Sequence, residues 1–310
     1  MAEEEGAEEQ RLLQYVLAAS GLGMWDWEPG TDRLVMSRRM RLMLGYEGED
    51  EPTTLAELHE RVHPEDRAAL EQSLGDHLAA RIPGHRATYR VRHGDGRWIW
   101  LEERGLVVER DSTGGPRRVV ATCDDVTDRV SAQQSTEWLA LHDSQTGLPN
   151  RVLFRRALRR AIDFADRRYL GVGLLVMDLD RYKLVNDHHG HAAGDRLLAH
   201  VARRLRGSVR RTDIVARIGG DEFAALVVQQ HGDRGMAVVA ERVLARLRVP
   251  FAVGGQRVVV TASAGVATHS PGIDDEQLLA RADRAMYAAK RSGRGTWRLY
   301  QPLAATGTGR

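Results

Sequence analysis

The chain has 310 residues, enough for two ordinary domains, and its 42% hydrophobic content can fill a core in each. A formal net charge of +2 is too slight to argue for a nucleic-acid polymer or a membrane surface as partner. The one cysteine, Cys123, excludes an intramolecular disulfide framework, and the acidic start lacks the apolar core of a signal peptide, so a soluble cytoplasmic protein is expected. No apolar run in the sequence approaches the roughly 20 residues that span a bilayer.

After an acidic leader over residues 1–10, Leu12, Leu13, Val16 and Leu17 recur at helical spacing and predict a short amphipathic helix over 8–19. Gly23–Glu28 and Arg33–Met36 read as strands on either side of a Pro29-Gly30 turn. Residues 38–83 lean helical, with breaks at Gly45, Pro52 and Pro64. Ala87–His93 and Arg97–Glu103 form a predicted hairpin about Gly94-Asp95-Gly96, and Gly105–Glu109 and Arg117–Asp124 read as two further strands. Strands, a helical middle and a meander make a small α+β domain.

Its landmarks are Gly23-Met-Trp-Asp-Trp27, His63-Pro-Glu-Asp-Arg67, Tyr89-Arg-Val-Arg92, Asp95-Gly-Arg-Trp98 and Asp125-Val-Thr-Asp-Arg129. Together they resemble a PAS sensory domain, with expected bounds 11–125 and an antiparallel sheet flanked by helices. The PAS ligand is not legible. The flavin–thiol version of the fold needs a cysteine in its helical middle, whereas Cys123 falls in the last strand. His59, His63 and His77 could offer an imidazole to haem iron, although a surface or capping role is the simpler reading. Trp25, Trp27, Trp98 and Trp100 read as packing residues.

Residues 126–142 follow as a linker helix: Val126–Leu141 has no proline or glycine and sets Val130, Gln134, Trp138 and Leu141 near a heptad seam. It reads equally as a rigid spacer or as a dimer contact. A second domain is expected over 143–300, with a tail over 301–310. It opens with a turn at Thr146-Gly147 and Pro149 before a helix over 152–167. Gly171–Met177 is an apolar run typical of a strand buried on both faces, and it ends in Asp178-Leu179-Asp180. Both aspartates share one face by strand alternation, and a carboxylate there needs a cation or donors to offset its desolvation.

Arg217-Ile-Gly-Gly-Asp-Glu-Phe223 joins two strand-like segments at Gly219-Gly220, which predicts a two-residue primed turn with both glycines at positive φ. Asp221 and Glu222 beside the apex are either a solvated turn or half of a metal site. Asp178 across from them favours the metal, because Mg²⁺ takes carboxylates together with substrate phosphate oxygens. Between these segments lie Lys183, Asn186-Asp187, Gly190-His191 and Gly194-Asp195, whose glycines would let backbone approach a ligand. Downstream, a helix over 278–289 ends in Lys290 and Arg294, which either answer the helix dipole or clamp phosphate.

Residues 143–300 resemble the GGDEF family, the diguanylate cyclases. The matching pieces are Asp143-x-x-Thr-Gly-Leu-Pro-Asn-Arg151, Asp178-x-Asp-x-Tyr-Lys183-x-x-Asn-Asp187, Gly190-His191-x-x-Gly-Asp195, the hairpin 217–223, Ser263-Ala-Gly-Val266, and Ala282-Asp-x-Ala-Met-Tyr287-x-x-Lys290. The resemblance implies a palm-like, ferredoxin-like α/β sandwich that condenses two GTP into cyclic di-GMP with release of pyrophosphate. It implies two Mg²⁺ per active site, or Mn²⁺ in their place, held by Asp178, the Leu179 carbonyl, Asp221 and Glu222. Asp221 or Glu222 would help deprotonate the attacking 3′-hydroxyl. Lys183, Lys290 and Arg294 would meet the triphosphate, Asn186, His191 and Asp195 would hold guanine and sugar, and Gly219 and Gly220 would leave room for the nucleoside.

One GTP per domain cannot close the ring, so a homodimer through the PAS domain, the linker helix and the catalytic face is implied. Arg210-x-x-Asp213, joined by Arg242, matches the family's inhibitory product site. Two departures stand out: Gln145 where the opening motif usually has leucine, and Arg181 where an aromatic residue is common. The competing reading is a non-catalytic receptor for GTP or cyclic di-GMP. Such receptors usually lose the hairpin carboxylates, and here both are present.

Overall fold

The computed structural model describes residues 19–46, 51–168, 171–228, 232–253 and 255–302. The expected amphipathic helix over 8–19 lies almost wholly outside them. The chain divides into two compact units, Met1–Ser135 and Thr136–Arg310.

In the first unit, β1 (Gly23–Glu28), β2 (Arg33–Met36), β3 (His85–Arg92), β4 (Trp98–Arg110) and β5 (Pro116–Asp125) form one antiparallel sheet in the order β2-β1-β5-β4-β3. Between β2 and β3 come α1 (Arg38–Leu44), α2 (Leu55–Glu60) and α3 (Pro64–Leu78). Each begins at a side-chain cap, Ser37, Thr54 and His63 in turn, which satisfies an otherwise orphaned N–H. The breaks expected at Gly45 and Pro64 are a left-handed C-cap and a first-turn proline. Alternate strand residues, among them Trp25, Tyr89, Val91, Ile99 and Leu101, pack against Met40, Leu58, Leu70 and Leu74 of the helices.

One boundary differs from the sequence reading. Gly105 does not separate two strands, because β4 runs through it in register with His85 on one side and Ala121 on the other. A Cβ here would stand at ordinary contact distance, 3.5 Å from the His85 ring, so the position accepts a regular strand residue and the ladder runs on. Next, α4 (Thr127–Leu141) spans the division between the units and has no buried residue.

The second unit is a five-stranded sheet in the order β12-β11-β6-β8-β7, built from β6 (Val172–Leu179), β7 (Ile214–Arg217), β8 (Glu222–Val228), β11 (Ala262–Thr268) and β12 (Trp297–Leu299). All neighbours pair antiparallel except β11 with β12. A short ribbon, β9 (Phe251–Val253) with β10 (Gln256–Val258), stands apart. The helices are α5 (Arg151–Arg168), α6 (Tyr182–His189), α7 (His191–Arg206), α8 (Gly232–Leu247) and α9 (Asp275–Arg291).

Strand β6 sits in the middle of this sheet and is buried on both faces, as its apolar run predicts. Leu175, Met177 and Leu179 join a core with Leu197 and Val201 of α7 and Met236 and Val243 of α8. Val172, Leu174 and Val176 join the opposite core with Phe154 and Leu158 of α5 and Leu278 and Ala282 of α9. Each fully buried aliphatic or aromatic side chain contributes roughly 1.5–3 kcal/mol relative to exposure, so both layers are held firmly. By the same alternation, Asp178 falls on the α5/α9 face.

Candidate active site

The register of the sheet assembles the carboxylates. Asp178 at the end of β6 lies directly opposite Glu222 at the start of β8 and opposite Ser263 on β11. The Leu179 N–H donates to the Asp221 carbonyl at 3.1 Å, which ties the strand end to the hairpin. From α9, Lys290 places its Nζ 2.7 Å from Asp178 Oδ2. Burial lifts the Asp178 carboxyl above its usual range, Lys290 pulls against this, and Asp221 adds repulsion. Glu222 is raised as well, first by burial and then by Asp178 and Asp283, with Arg151 and Lys290 opposing. The fold thus holds like charges together on a half-buried ledge, an arrangement stabilised by added positive charge.

The hairpin itself departs from expectation. Strand β7 ends at Arg217 and β8 begins at Glu222, so Ile218 to Asp221 form a four-residue loop, and the positive-φ residues include neither Gly219 nor Gly220. The reason is Arg217, whose Nε and Nη2 donate to the Gly220 carbonyl at 3.0 and 2.6 Å and hold the loop open. A Cβ on Gly219 would meet Glu222 Oε2 at 2.5 Å, whereas Gly220 has open space about it. The glycine at 219 makes room for a carboxylate.

Of the two offsets expected for a carboxylate at this strand end, Asp180 takes the donors. Its carboxylate is spent on the fold, accepting from Thr261 Oγ1 at 2.6 Å, Ser263 Oγ at 2.7 Å and the Gly295 N–H at 2.9 Å. Asp178 and Asp180 therefore have separate tasks. The second clamps the strand end to β11 and to the segment after α9.

On the helices after β6, Lys183 is exposed in the first turn of α6, and His191 and Asp195 are exposed in the first turns of α7. Asn186 is turned inward, and its Oδ1 is buried without a hydrogen-bond partner among the described residues. Gly194 serves this side chain: a Cβ there would run into the Asn186 amide and stand 2.7 Å from the Tyr182 hydroxyl. The glycine expected to admit a ligand admits an amide, which remains one donor short. Asp195 accepts from Gln145 Nε2 at 2.5 Å.

The two cations expected at the phosphates part company. Lys290 lies within the last turn of α9 against Asp178, while Arg294, at φ 63°, lines a groove of about 680 Å³ with Arg181, Arg248 and Asp180. A smaller cavity of about 310 Å³ lies behind the hairpin, lined by Arg151, Phe154, Glu222, Asp283 and Met286. Burial raises the Asp283 carboxyl, opposed by Arg151. Neither Asp283 nor Arg151 carried a role in the sequence reading, although both stand inside matched motifs.

The Arg210-x-x-Asp213 segment closes on itself. Asp213 is 2% exposed, and its Oδ2 accepts the backbone N–H of Arg210 at 2.9 Å, while its Oδ1 is buried and unpartnered among the described residues. Arg206 braces the loop by donating to the carbonyls of Arg210, Arg211 and Asp213. The Arg210 side chain is exposed, as is Arg242 on α8.

The first unit holds a feature that the sequence reading missed. Glu103, 2% exposed, accepts from Trp25 Nε1 at 3.0 Å, Tyr89 OH at 2.6 Å and His85 Nε2 at 3.0 Å. Burial pushes its carboxyl up, but the hydrogen bonds from His85, Tyr89 and Trp25 together hold it below the usual range. The signal was present: Ile99, Leu101 and Glu103 alternate inward, so a charge stands at a core position. Cys123 is buried 3.6 Å from Glu103, and burial lifts its thiol well above the usual range. His77 has both ring nitrogens engaged, with the Ile82 carbonyl at 3.0 Å and the Val107 N–H at 2.9 Å. His63 is a helix cap.

A family described as the diguanylate cyclase GGDEF domain matches residues 140–296, about half of the chain. The chain belongs to the GGDEF family. Ahead of this GGDEF domain, residues 33–123 match the PAS fold. Diguanylate cyclase TpbB of Pseudomonas aeruginosa is 41% identical over 162 residues, 52% of this chain and 37% of that protein. Cyclic di-GMP phosphodiesterase PdeR of Escherichia coli is 37% identical over 195 residues, 62% of this chain and 29% of that protein. This GGDEF protein thus spans about a third of those relatives. The solved coiled coil and GGDEF domain of DgcB from Caulobacter crescentus, in complex with c-di-GMP, is 28% identical with a TM-score of 0.52, covering 56% of this chain and 93% of that one. No helix among the described residues is long and apolar enough to cross a membrane.

Proposed function

We propose that this chain is a diguanylate cyclase that condenses two GTP into cyclic di-GMP and two pyrophosphates. The observation that carries the reading is the register pairing of Asp178 with Glu222, with Asp221 beside them and Lys290 at 2.7 Å. A receptor that only binds nucleotide has no need of carboxylates crowded on a half-buried ledge.

Divalent metal fits this donor set in one particular way. Among the described residues no three His, Cys, Asp or Glu side chains converge to hold an ion by themselves. Asp178, the Leu179 carbonyl, Asp221 and Glu222 would hold Mg²⁺ or Mn²⁺ whose remaining positions belong to water and substrate phosphate. When bound, the metal would supply charge neutralisation at the attacking and leaving oxygens. Lys290, 2.7 Å from Asp178, offers a point charge to the triphosphate, and Lys183 and Arg294 add two more. Asp221 or Glu222 takes the proton of the 3′-hydroxyl. Asn186 brings its side-chain amide, His191 a ring and Asp195 a charged acceptor to the guanosine, which presents N–H groups.

Each domain places one GTP, so two copies must face each other for each 3′-hydroxyl to reach the other's α-phosphate. The PAS domain and α4 set how often the faces meet. Product feeds back through Arg210, Asp213 and Arg242, of which the two arginines are exposed and Asp213 holds the Arg210 backbone. The test is incubation of the full chain with GTP and Mg²⁺, with cyclic di-GMP read by chromatography. Asp221→Ala is expected to abolish the product. No product from the parent at dimer-favouring concentrations would shift the assignment to a receptor.

A further inference from the structure

We propose that Gln145 is a positioning residue for base recognition: it orients Asp195 for the guanine edge and couples it to the GGDEF hairpin. The proposal rests on the cyclase reading for the role of Asp195.

Gln145 lies in the loop between α4 and α5 and is exposed. An exposed glutamine gains rotamer freedom by staying loose. Here both ends of the amide are held. Its Oε1 accepts from Arg217 Nη1, and its Nε2 donates to Asp195 Oδ1 at 2.5 Å. The amide orientation is fixed by chemistry, because a guanidinium only donates and a carboxylate only accepts. Flipping the amide would set donor against donor and acceptor against acceptor.

Arg217 is anchored in turn. Its Nη1 donates to both Asp143 oxygens at 3.0 and 3.1 Å, and its Nε and Nη2 grip the Gly220 carbonyl. Its side chain is only 10% exposed. A continuous chain of contacts therefore runs from Gly220 through Arg217 and Gln145 to Asp195, across segments 145, 195 and 217 that are distant in sequence. The leucine usual at this position could form neither bond. The departure from the family pattern is thus a working part of this chain.

The consequence is specificity. Guanine presents its ring N–H and its exocyclic amino group side by side, and a carboxylate held in one orientation can accept from both. Inosine lacks the amino group and gains only one such bond. Gln145 occupies one direction of the Asp195 carboxylate, so the acceptor is preset before the base arrives, which lowers the ordering cost of binding.

The experiment uses the full chain with GTP and with inosine triphosphate, reading Kd by calorimetry in Ca²⁺ and kcat and KM in Mg²⁺. Gln145→Leu is expected to weaken GTP on the order of tenfold, the loss of one charge-assisted contact, while inosine triphosphate changes by less than about twofold. The preference for guanine narrows accordingly, and the loss falls on KM more than on kcat. Gln145→Glu keeps the acceptor for Arg217 but sets a second negative charge against Asp195, and its preference falls at least as far. Equal weakening of both nucleotides would show that the residue only packs the loop and would overturn the proposal, as would an unchanged ratio. If the parent binds GTP without turnover, the cyclase reading fails, and the ratio of the two binding constants still decides the role of Gln145.

Discussion

Gly265 offers a sharp test of how the sheet sets the active site. It pairs with Val176 and so faces α9, where a Cβ would collide with the Ala282 carbonyl and the Met286 nitrogen and stand 2.9 Å from the Ala285 carbonyl carbon. These are backbone atoms in the middle of a helix, so no side chain can swing aside. Ordinary contact lies near 3.5–4.0 Å, and the Ala282 carbonyl oxygen lies closest of the three, so Gly265→Ala forces α9 outward by at least about 1.5 Å. Overpacking of this kind costs about 1–3 kcal/mol, which leaves the domain folded.

The same helix carries Lys290, placed 2.7 Å from Asp178, and Asp283, beside Glu222. A displacement of about 1 Å at such groups lowers turnover on the order of 100-fold. The assay is cyclic di-GMP formation by Gly265→Ala at saturating GTP, with circular dichroism and a melting curve on the same sample. Turnover within twofold of the parent would refute the argument that close approach of α9 to β11 places the cation.

The remaining predictions address the other sites. Glu103→Ala leaves the Trp25, Tyr89 and His85 donors without their acceptor and should cost the first unit about 3–5 kcal/mol in urea unfolding followed by tryptophan fluorescence; a loss below about 1 kcal/mol would contradict the network. Because the folded Glu103 carboxyl lies below its ordinary 4.5, its stabilisation is complete above that pH and is lost as pH falls through the depressed value. Stability should accordingly fall more steeply with acid in the parent than in Glu103→Gln. Arg210→Ala should relieve inhibition by added cyclic di-GMP while leaving initial rates near those of the parent, and unchanged inhibition would remove the proposed product site.

Much of this molecule was legible in its residues, and the gaps share one cause. The buried strand with Asp178 at its end, the strands on either side of Gly219-Gly220 and the caps at Gly45 and Pro64 follow from local rules of periodicity and backbone freedom. What escaped was decided by partners distant in sequence. The width of the hairpin depends on Arg217, and the use of Asp180 depends on Thr261, Ser263 and Gly295. Gly105 stays within a strand because β3 and β5 pair with it on both sides, and Gly194 yields its space to Asn186. Gln145 was visible as an oddity, yet its meaning waited on Asp195, fifty residues further along.

The clamp at Asp180 bears on how this domain can be cut. Asp180 and Gly295 are 115 positions apart, and a single N–H donated at 2.9 Å makes them neighbours. Tyr300 adds a second stitch by donating its N–H to Val266 at 2.8 Å. The last strand is therefore a fastening for the carboxylate-bearing end of β6. A fragment ending at residue 292 would keep every carboxylate and Lys290 yet lose the tie that holds their strand in place. A piece that keeps both ties runs through β12 to Tyr300.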